Sequence, residues 1–231
     1  MKLAVVQHAR RATVAEDLEA LLQSAVRACS LDADVVVLPR PIWLDPVRIA
    51  QIPEASELST AFPDVTVLSG PLGVEAETSA AGGVRLVRTP LGMTAALYGD
   101  DCLDPLMARE LVSAEPDAII LRPGSESDLQ AEAVLELALG LSESTSGLVL
   151  IAEADGAEAG EPGHGGSAII TLGALSAEAL SGDDLLLSDV LAPVPQPEPR
   201  DPLPQLPPIL TQRLALHRGE RVQVDYPADL S

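Results

Sequence analysis

The hydrophobic positions of the first forty residues fall into short apolar runs separated by one helical repeat. Lys2 to Gln7 holds four consecutive apolar residues and predicts a strand that is buried on both faces. Thr13 follows with Glu16 in the capping-box position, so a helix is expected to begin there. The β-branched run from Asp34 to Leu38 predicts a second strand. The chain therefore opens with strand, helix and strand.

The same alternation continues through the middle of the chain. Pro90 and Gly92 suit a turn between two apolar runs and predict a β-hairpin. Pro105 opens one predicted helix, and a second is predicted over 127–139. Further strands are predicted at 65–68, 84–87, 93–97, 118–121, 148–152, 167–171 and 185–190. Alternating helices and strands indicate an α/β sandwich, with one domain over residues 1–192.

The C-terminal part of the chain has a different pattern. Residues 193–208 are too rich in proline to pair as a central strand or to continue a helix, because proline lacks the backbone N–H. We expect an extended, Pro-rich linker there. Residues 209–231 form a C-terminal tail that has room for one short helix, which would lie at an oligomer interface.

Composition and charge exclude some classes of partner and location. Hydrophobic residues make up 47% of the chain but aromatic residues only 2%, so aliphatic side chains must fill the core. The formal net charge of −21 disfavours phosphate backbones and anionic membranes, and no apolar run is long enough to span a bilayer. Two cysteines and no evident signal segment favour a reducing compartment, the cytoplasm. Neither nucleic acid nor a membrane is an expected partner.

Five segments, taken in order along the chain, carry a family resemblance. They are 2–7 (KLAVVQ), 32–39 (DADVVVLP), 89–92 (TPLG), 104–123 and 165–170 (GGSAII). Together they resemble the nitrilase superfamily of carbon–nitrogen hydrolases. The resemblance covers residues 1–192 and implies that family's α-β-β-α sandwich. It also implies a homodimer or higher homo-oligomer in which the tail crosses to the partner.

The resemblance implies a catalytic set that this sequence does not supply. In the family a Cys thiolate attacks an amide or nitrile carbon, a Glu acts as general base and a Lys stabilises the oxyanion. Arg40 stands at the position of the Glu, and a guanidinium cannot accept a proton. Counting forward from the hairpin places the nucleophile at Ala96, and counting back from Pro105 places it at Gly99. The sole lysine, Lys2, lies in the first strand.

Cys102 keeps an active alternative open. Cys102-Leu103-Asp104 echoes the family's Cys-Tyr-Asp, and a rearranged site could use Cys102 as nucleophile. Acidic neighbours would raise the pKa of this thiol and suppress the thiolate. The candidate general bases for such a site are Glu54, Glu57 and Glu110.

Three functions follow from these residues. The first is a non-catalytic homologue with a structural, binding or regulatory role, with another protein as a further partner. The second is an active amidase built on Cys102, and the third is a sensor in which Arg40 binds a small carboxylate. The candidate ligand-binding residues are Arg40, Trp43, Ser125 and His164. No metal site and no cofactor are expected, since the three histidines have no ligand at metal spacing.

Overall fold

The computed structural model describes residues 1–39, 65–68, 84–156, 163–179 and 181–190. Three α-helices lie in these ranges, α1 (Val14–Ser30), α2 (Pro105–Ala114) and α3 (Asp128–Thr145), together with a short 3₁₀ helix at Gly99–Leu103. The strands are β1 (Lys2–Gln7), β2 (Val35–Val37), β3 (Thr66–Leu68), β4 (Leu86–Thr89), β5 (Gly92–Tyr98), β6 (Ala118–Arg122), β7 (Leu148–Ile151), β8 (Ala168–Thr171), β9 (Ala174–Glu178) and β10 (Asp184–Asp189).

The described strands form two sheets. The first has four strands in the order β10-β1-β2-β3, with β1, β2 and β3 parallel and β10 antiparallel to β1. The second has six strands in the order β4-β5-β6-β7-β8-β9. Its three central strands, β5, β6 and β7, are parallel, and the outer pairs are antiparallel.

The two sheets pack face to face, and helices cover both outer faces. In β1, Leu3 and Val5 point between the sheets, where they meet β6 and β7 residues such as Ile120 and Leu150. The alternate β1 residues, Ala4 and Val6, pack under α1. Helices α2 and α3 cover the six-stranded sheet in the same way. The fold is therefore the α-β-β-α sandwich that the sequence predicts.

Helix α1 begins where the capping pattern predicts. Thr13 is extended, and its hydroxyl accepts the backbone N–H of Glu16 at 3.3 Å. The same hydroxyl donates to the Glu16 carboxylate at 2.9 Å. The cap thus satisfies one of the four free N–H groups at the helix start.

Thr13→Ala should lower the free energy of unfolding by about 1 kcal/mol, because the N–H of Glu16 loses its acceptor. Thr13→Ser keeps the hydroxyl and should remain within a few tenths of the parent. Urea denaturation of the three proteins checks this, and equal losses in both variants would refute a role for the hydroxyl.

Most predicted elements are confirmed within one or two residues, but two differ. Helix α3 runs to Thr145, beyond the predicted end at residue 139. The helix can continue through polar residues because their side-chain hydroxyls donate hydrogen bonds to backbone carbonyls. Ser142 donates to the Gly147 carbonyl and Thr145 to the Leu141 carbonyl, both at 2.8 Å. Strand β9 was not predicted.

The predicted linker 193–208 and tail 209–231 lie outside the described residues. Among the described helices, none is long and apolar enough to span a membrane.

Candidate functional site

The carboxyl ends of the parallel strands of both sheets meet at one edge of the sandwich. Arg122 ends β6 and bonds to carbonyls at the ends of β2 and β3, which joins the two sheets at this edge. Beyond β1 and β7, Ala9 and Asp155 form an additional parallel bridge. Ligands of parallel α/β sheets bind outside the carboxyl ends of the strands. A ligand-binding site is therefore expected at this edge.

A cleft of about 260 Å³ opens at this edge. We call it the strand-end cleft. Its described lining comes mainly from the residues that directly follow β5, β6 and β7, and includes Gly99, Arg122, Ser125, Glu126 and Glu153. Arg10, which follows β1, also lines it. Short loops after three neighbouring strands thus form the wall of one cavity.

Glu153 is a buried carboxyl in this wall. Both of its oxygens bond to Ser125: one accepts the backbone N–H in a short bond, and the other accepts the hydroxyl at 3.1 Å. Burial raises the pKa of Glu153 to about 7, although the N–H groups of Ser125 and His164 oppose the rise. Glu153 therefore holds a proton to a higher pH than an exposed glutamate does, and its two oxygens are positioned by the buried Ser125.

Arg122 is the buried cation of the cleft, with only 1% of its surface exposed. Its guanidinium donates to the carbonyls of Leu38 at 2.8 Å and Leu68 at 2.7 Å, and to the Tyr98 hydroxyl at 3.0 Å. The guanidinium carbon also lies 5.5 Å from the centre of the Tyr98 ring. Burial lowers the pKa of Arg122, and the contact with Tyr98 opposes this. Arg122 therefore holds the ends of β2 and β3 against β6.

Arg10 reaches the cleft from the other sheet and is tied to a buried carboxylate. Asp17 of α1 lies 3.8 Å from the Arg10 guanidinium and 3.1 Å from Nε2 of His8. It also accepts the backbone N–H of Arg11 at 3.0 Å. One carboxylate thus holds His8 and the two arginine residues that follow β1, and His8 has a structural place in this cluster.

Cys102 lies in the 3₁₀ helix that follows β5. Its side chain is fully buried in the core between the six-stranded sheet and helices α2 and α3. Burial raises the pKa of its thiol to about 12, and the negative charges of Glu153 and Asp101 add to this effect. A hydrogen bond with the backbone of Arg122 partly opposes this rise, and Cys102 is not among the described residues that line the strand-end cleft.

His164 borders a second, smaller cleft of about 210 Å³ behind Glu153. Its Nδ1 lies 3.0 Å from the carboxylate of Asp128, which is almost fully exposed. No group of three or more His, Cys, Asp or Glu residues suited to a metal ion occurs in the part of the chain that the structure describes.

The predicted site residues separate into three groups. Ser125 and Gly99 line the strand-end cleft, and His164 lines the second cleft. Ala96 lies inside β5, paired with Ile120, and does not line either cleft. Glu110 lies in α2, away from both linings. The residues that lie outside the described ranges are Arg40, Trp43, Glu54 and Glu57.

Two residues of the cleft were missed by sequence reasoning. Arg122 ends the run Ala-Ile-Ile-Leu-Arg, and Glu153 follows Leu-Val-Leu-Ile-Ala. A charged residue that directly ends a buried parallel strand is a signal of an edge site, since ligands bind there. Each of the two strands therefore carries this sequence signal. It indicates one shared site only when the two strands are known to be neighbours in the sheet.

Comparison with solved structures finds amidases. A variant of the amidase from Nesterenkonia sp. AN1, with the acetamide moiety of fluoroacetamide added covalently at its active site cysteine, has a TM-score of 0.61 and 18% sequence identity. That match covers 82% of this chain and 90% of the other. The same amidase after tag removal gives a TM-score of 0.60 at 18% identity, over 95% and 99% of the two chains. A serine-for-cysteine variant, described as from the nitrilase superfamily, gives 0.58 at 17% identity, over 95% and 97%.

No protein-family model and no curated protein matches the chain. The similarity to the solved structures, at this level of identity, concerns the fold. The chain has the fold of the nitrilase-superfamily amidases, as its sequence pattern predicts.

Proposed function

We propose that this protein is a carbon–nitrogen hydrolase homologue that binds a ligand in the strand-end cleft without the family's thiol chemistry. One observation carries the proposal: the residue that directly follows β5 and lines the cleft is Gly99, which has no side chain to act as a nucleophile. The amidase similar to this chain reacts at an active site cysteine.

The position of Gly99 supports its assignment as the vestigial nucleophile position. Of the two candidates from the sequence, Ala96 is paired within the sheet, whereas Gly99 is the first residue beyond the strand and borders the cavity. Gly99 also has a φ of +55°, in the left-handed region where side chains are disfavoured. The backbone at this turn places residue 99 at the cleft, but glycine supplies no sulfur atom that could attack a ligand.

Cys102 does not replace the missing nucleophile. The attacking species in such chemistry is the thiolate, and burial raises the pKa of the Cys102 thiol to about 12, so the thiol stays protonated near neutral pH. Its sulfur is also buried in the hydrophobic core rather than in the cleft. Both charge state and access argue against attack on an amide.

The sole lysine cannot supply the oxyanion contact either. Lys2 begins β1, and its ammonium donates to the Leu31 carbonyl at 3.0 Å. The cleft lies beyond the opposite end of β1, about 17 Å away at about 3.3 Å per residue. Arg40 stands at the position of the family's Glu. The nucleophile, the general base and the oxyanion lysine are therefore each missing from the position that the family resemblance implies.

Assays of short aliphatic amides test the proposal. Ammonia release from acetamide, propionamide and acrylamide should not rise above the buffer rate with the parent protein at any pH from 6 to 9. Cys102→Ala should behave like the parent, as should the matched control Cys29→Ala, since Cys29 is the other buried free cysteine. Turnover that survives in Cys29→Ala and disappears in Cys102→Ala would refute the proposal.

A further inference from the structure

We propose that the strand-end cleft binds a small carboxylate whose negative charge is neutralised by the buried guanidinium of Arg122. The inference rests on the proposed function, because it names the ligand class of the same cleft. It replaces Arg40, the cation that the sequence suggested, with a cation that the structure places in the cavity wall.

Among the described residues, no negative charge is paired with Arg122. The three hydrogen bonds that its guanidinium makes within these residues go to two backbone carbonyls and one phenol, which are all neutral acceptors. No carboxylate forms an ion pair with it within the described ranges. A buried charge is strongly disfavoured unless an opposite charge accompanies it. A bound carboxylate would supply that charge.

The donors of Arg122 also suit a carboxylate. A guanidinium has five N–H groups in a planar fork, and three of those of Arg122 bond to described residues of the protein. The remaining N–H groups match the two oxygens of a carboxylate better than the single carbonyl oxygen of an amide. Arg10 contributes a second positive charge to the same cavity, although Asp17 lies 3.8 Å from it.

The size and rim of the cleft restrict the ligand. At about 260 Å³ the cavity is smaller than the roughly 300–1,000 Å³ that suit drug-sized ligands, so a short acid fits best. Asp100 and Glu126 are exposed lining residues and would repel a ligand with several negative charges. The expected ligand is a small acid with a single carboxylate.

Glu153 should make this binding depend on pH. A carboxylate bound near Glu153 favours its protonated form, so binding should take up a proton and weaken as the pH rises through 7. Other titratable or charged groups share the two clefts with Glu153 or lie close to it. They are Arg10, Asp100, Cys102, Arg122, Glu126, Asp128, Glu132, His164 and Glu178. Glu153→Gln separates its contribution from theirs.

The experiment compares acids with their own amides on the intact protein. Calorimetry or thermal shift with propionate and propionamide, and with lactate and lactamide, keeps ligand shape nearly constant while the charge changes. The carboxylates should bind at least about tenfold more tightly than the amides at pH 6. Arg122→Met should reduce carboxylate affinity at least about tenfold, while Arg88→Met, at an exposed arginine of β4, should leave it unchanged.

The pH series provides the second measurement. Carboxylate affinity should fall from pH 6 to pH 8 in the parent and change less in Glu153→Gln. Should Arg122→Met fail to fold, the acid-to-amide ratio of the parent and the pH series of Glu153→Gln decide the matter. Equal binding of acids and amides, or no binding of either by the folded parent, would overturn the inference. Hydrolysis of the amides in the same samples would instead refute the proposed function, so the two failures are distinct.

Discussion

Arg122→Ala is expected to lower the free energy of unfolding by about 2–4 kcal/mol. The substitution removes the side-chain donor to the Leu38 carbonyl and one of two donors to the Leu68 carbonyl, which also accepts the backbone N–H of Leu38 at 3.1 Å. It also leaves a cavity where a fully buried side chain was packed. The two sheets would then lose a direct link at their shared edge.

Two further variants identify the cause of this loss. Arg122→Met removes the same charge and donors but fills most of the volume, so it should destabilise the protein less than Arg122→Ala, because it leaves a smaller cavity. Arg88→Ala removes an exposed arginine from β4 and should stay within about 0.5 kcal/mol of the parent. Urea denaturation measures all three. A loss below about 1 kcal/mol in Arg122→Ala would mean that Arg122 does not hold the sheets together.

The second large effect is a pH-dependent change in stability at Glu153. Its pKa is about 7 in the folded protein, against an ordinary value of 4.5. Between these values the folded protein retains a proton that the unfolded chain releases, so stability falls as the pH rises from about 4.5 to 7. At about 1.4 kcal/mol per pKa unit, the difference of 7 and 4.5 corresponds to about 3 kcal/mol.

Glu153→Gln should remove this dependence. The amide keeps the shape of the side chain and can still accept from Ser125, but it does not ionise. Relative to the parent, the variant should gain about 3 kcal/mol of stability between pH 5 and pH 8, measured by urea denaturation at unit steps of pH. Glu126→Gln, at an exposed carboxylate of the same cleft, should show no comparable trend. A difference between parent and Glu153→Gln that does not vary with pH would refute the elevated pKa.

The fold could be predicted from the sequence because its strands are short apolar runs. Residues 2–7 and 118–122 are buried on both faces, so their sequences stand out against the polar loops. Strand β9 lacked this signal, since most of its side chains are exposed. Its hairpin turn also uses Leu172 and Gly173, both with positive φ. Leucine is not a residue that indicates such a turn in a sequence.

The site could be predicted only in part, because sequence does not give the order of strands within a sheet. The nucleophile position stays a prediction, for which the sequence left two candidates, Ala96 and Gly99. What the sequence did not give is the end of β5, which lies at Tyr98, so that Ala96 is inside the strand and Gly99 follows it. Arg122 and Glu153 are separated by thirty-one positions in the chain and become neighbours in one cleft only because β6 pairs with β7.

The most direct test of the central claim, that the amidase fold is retained without the thiol chemistry, is covalent labelling of Cys102. Fluoroacetamide, whose acetamide moiety is found on the active site cysteine of the similar amidase, is the reagent, and peptide mass spectrometry is the readout. In the folded protein at pH 7 to 9, Cys102 should be labelled no faster than the buried Cys29, and both should react with iodoacetamide after unfolding in urea. Rapid, selective labelling of Cys102 in the folded protein at pH 7 would contradict the account and indicate an active hydrolase.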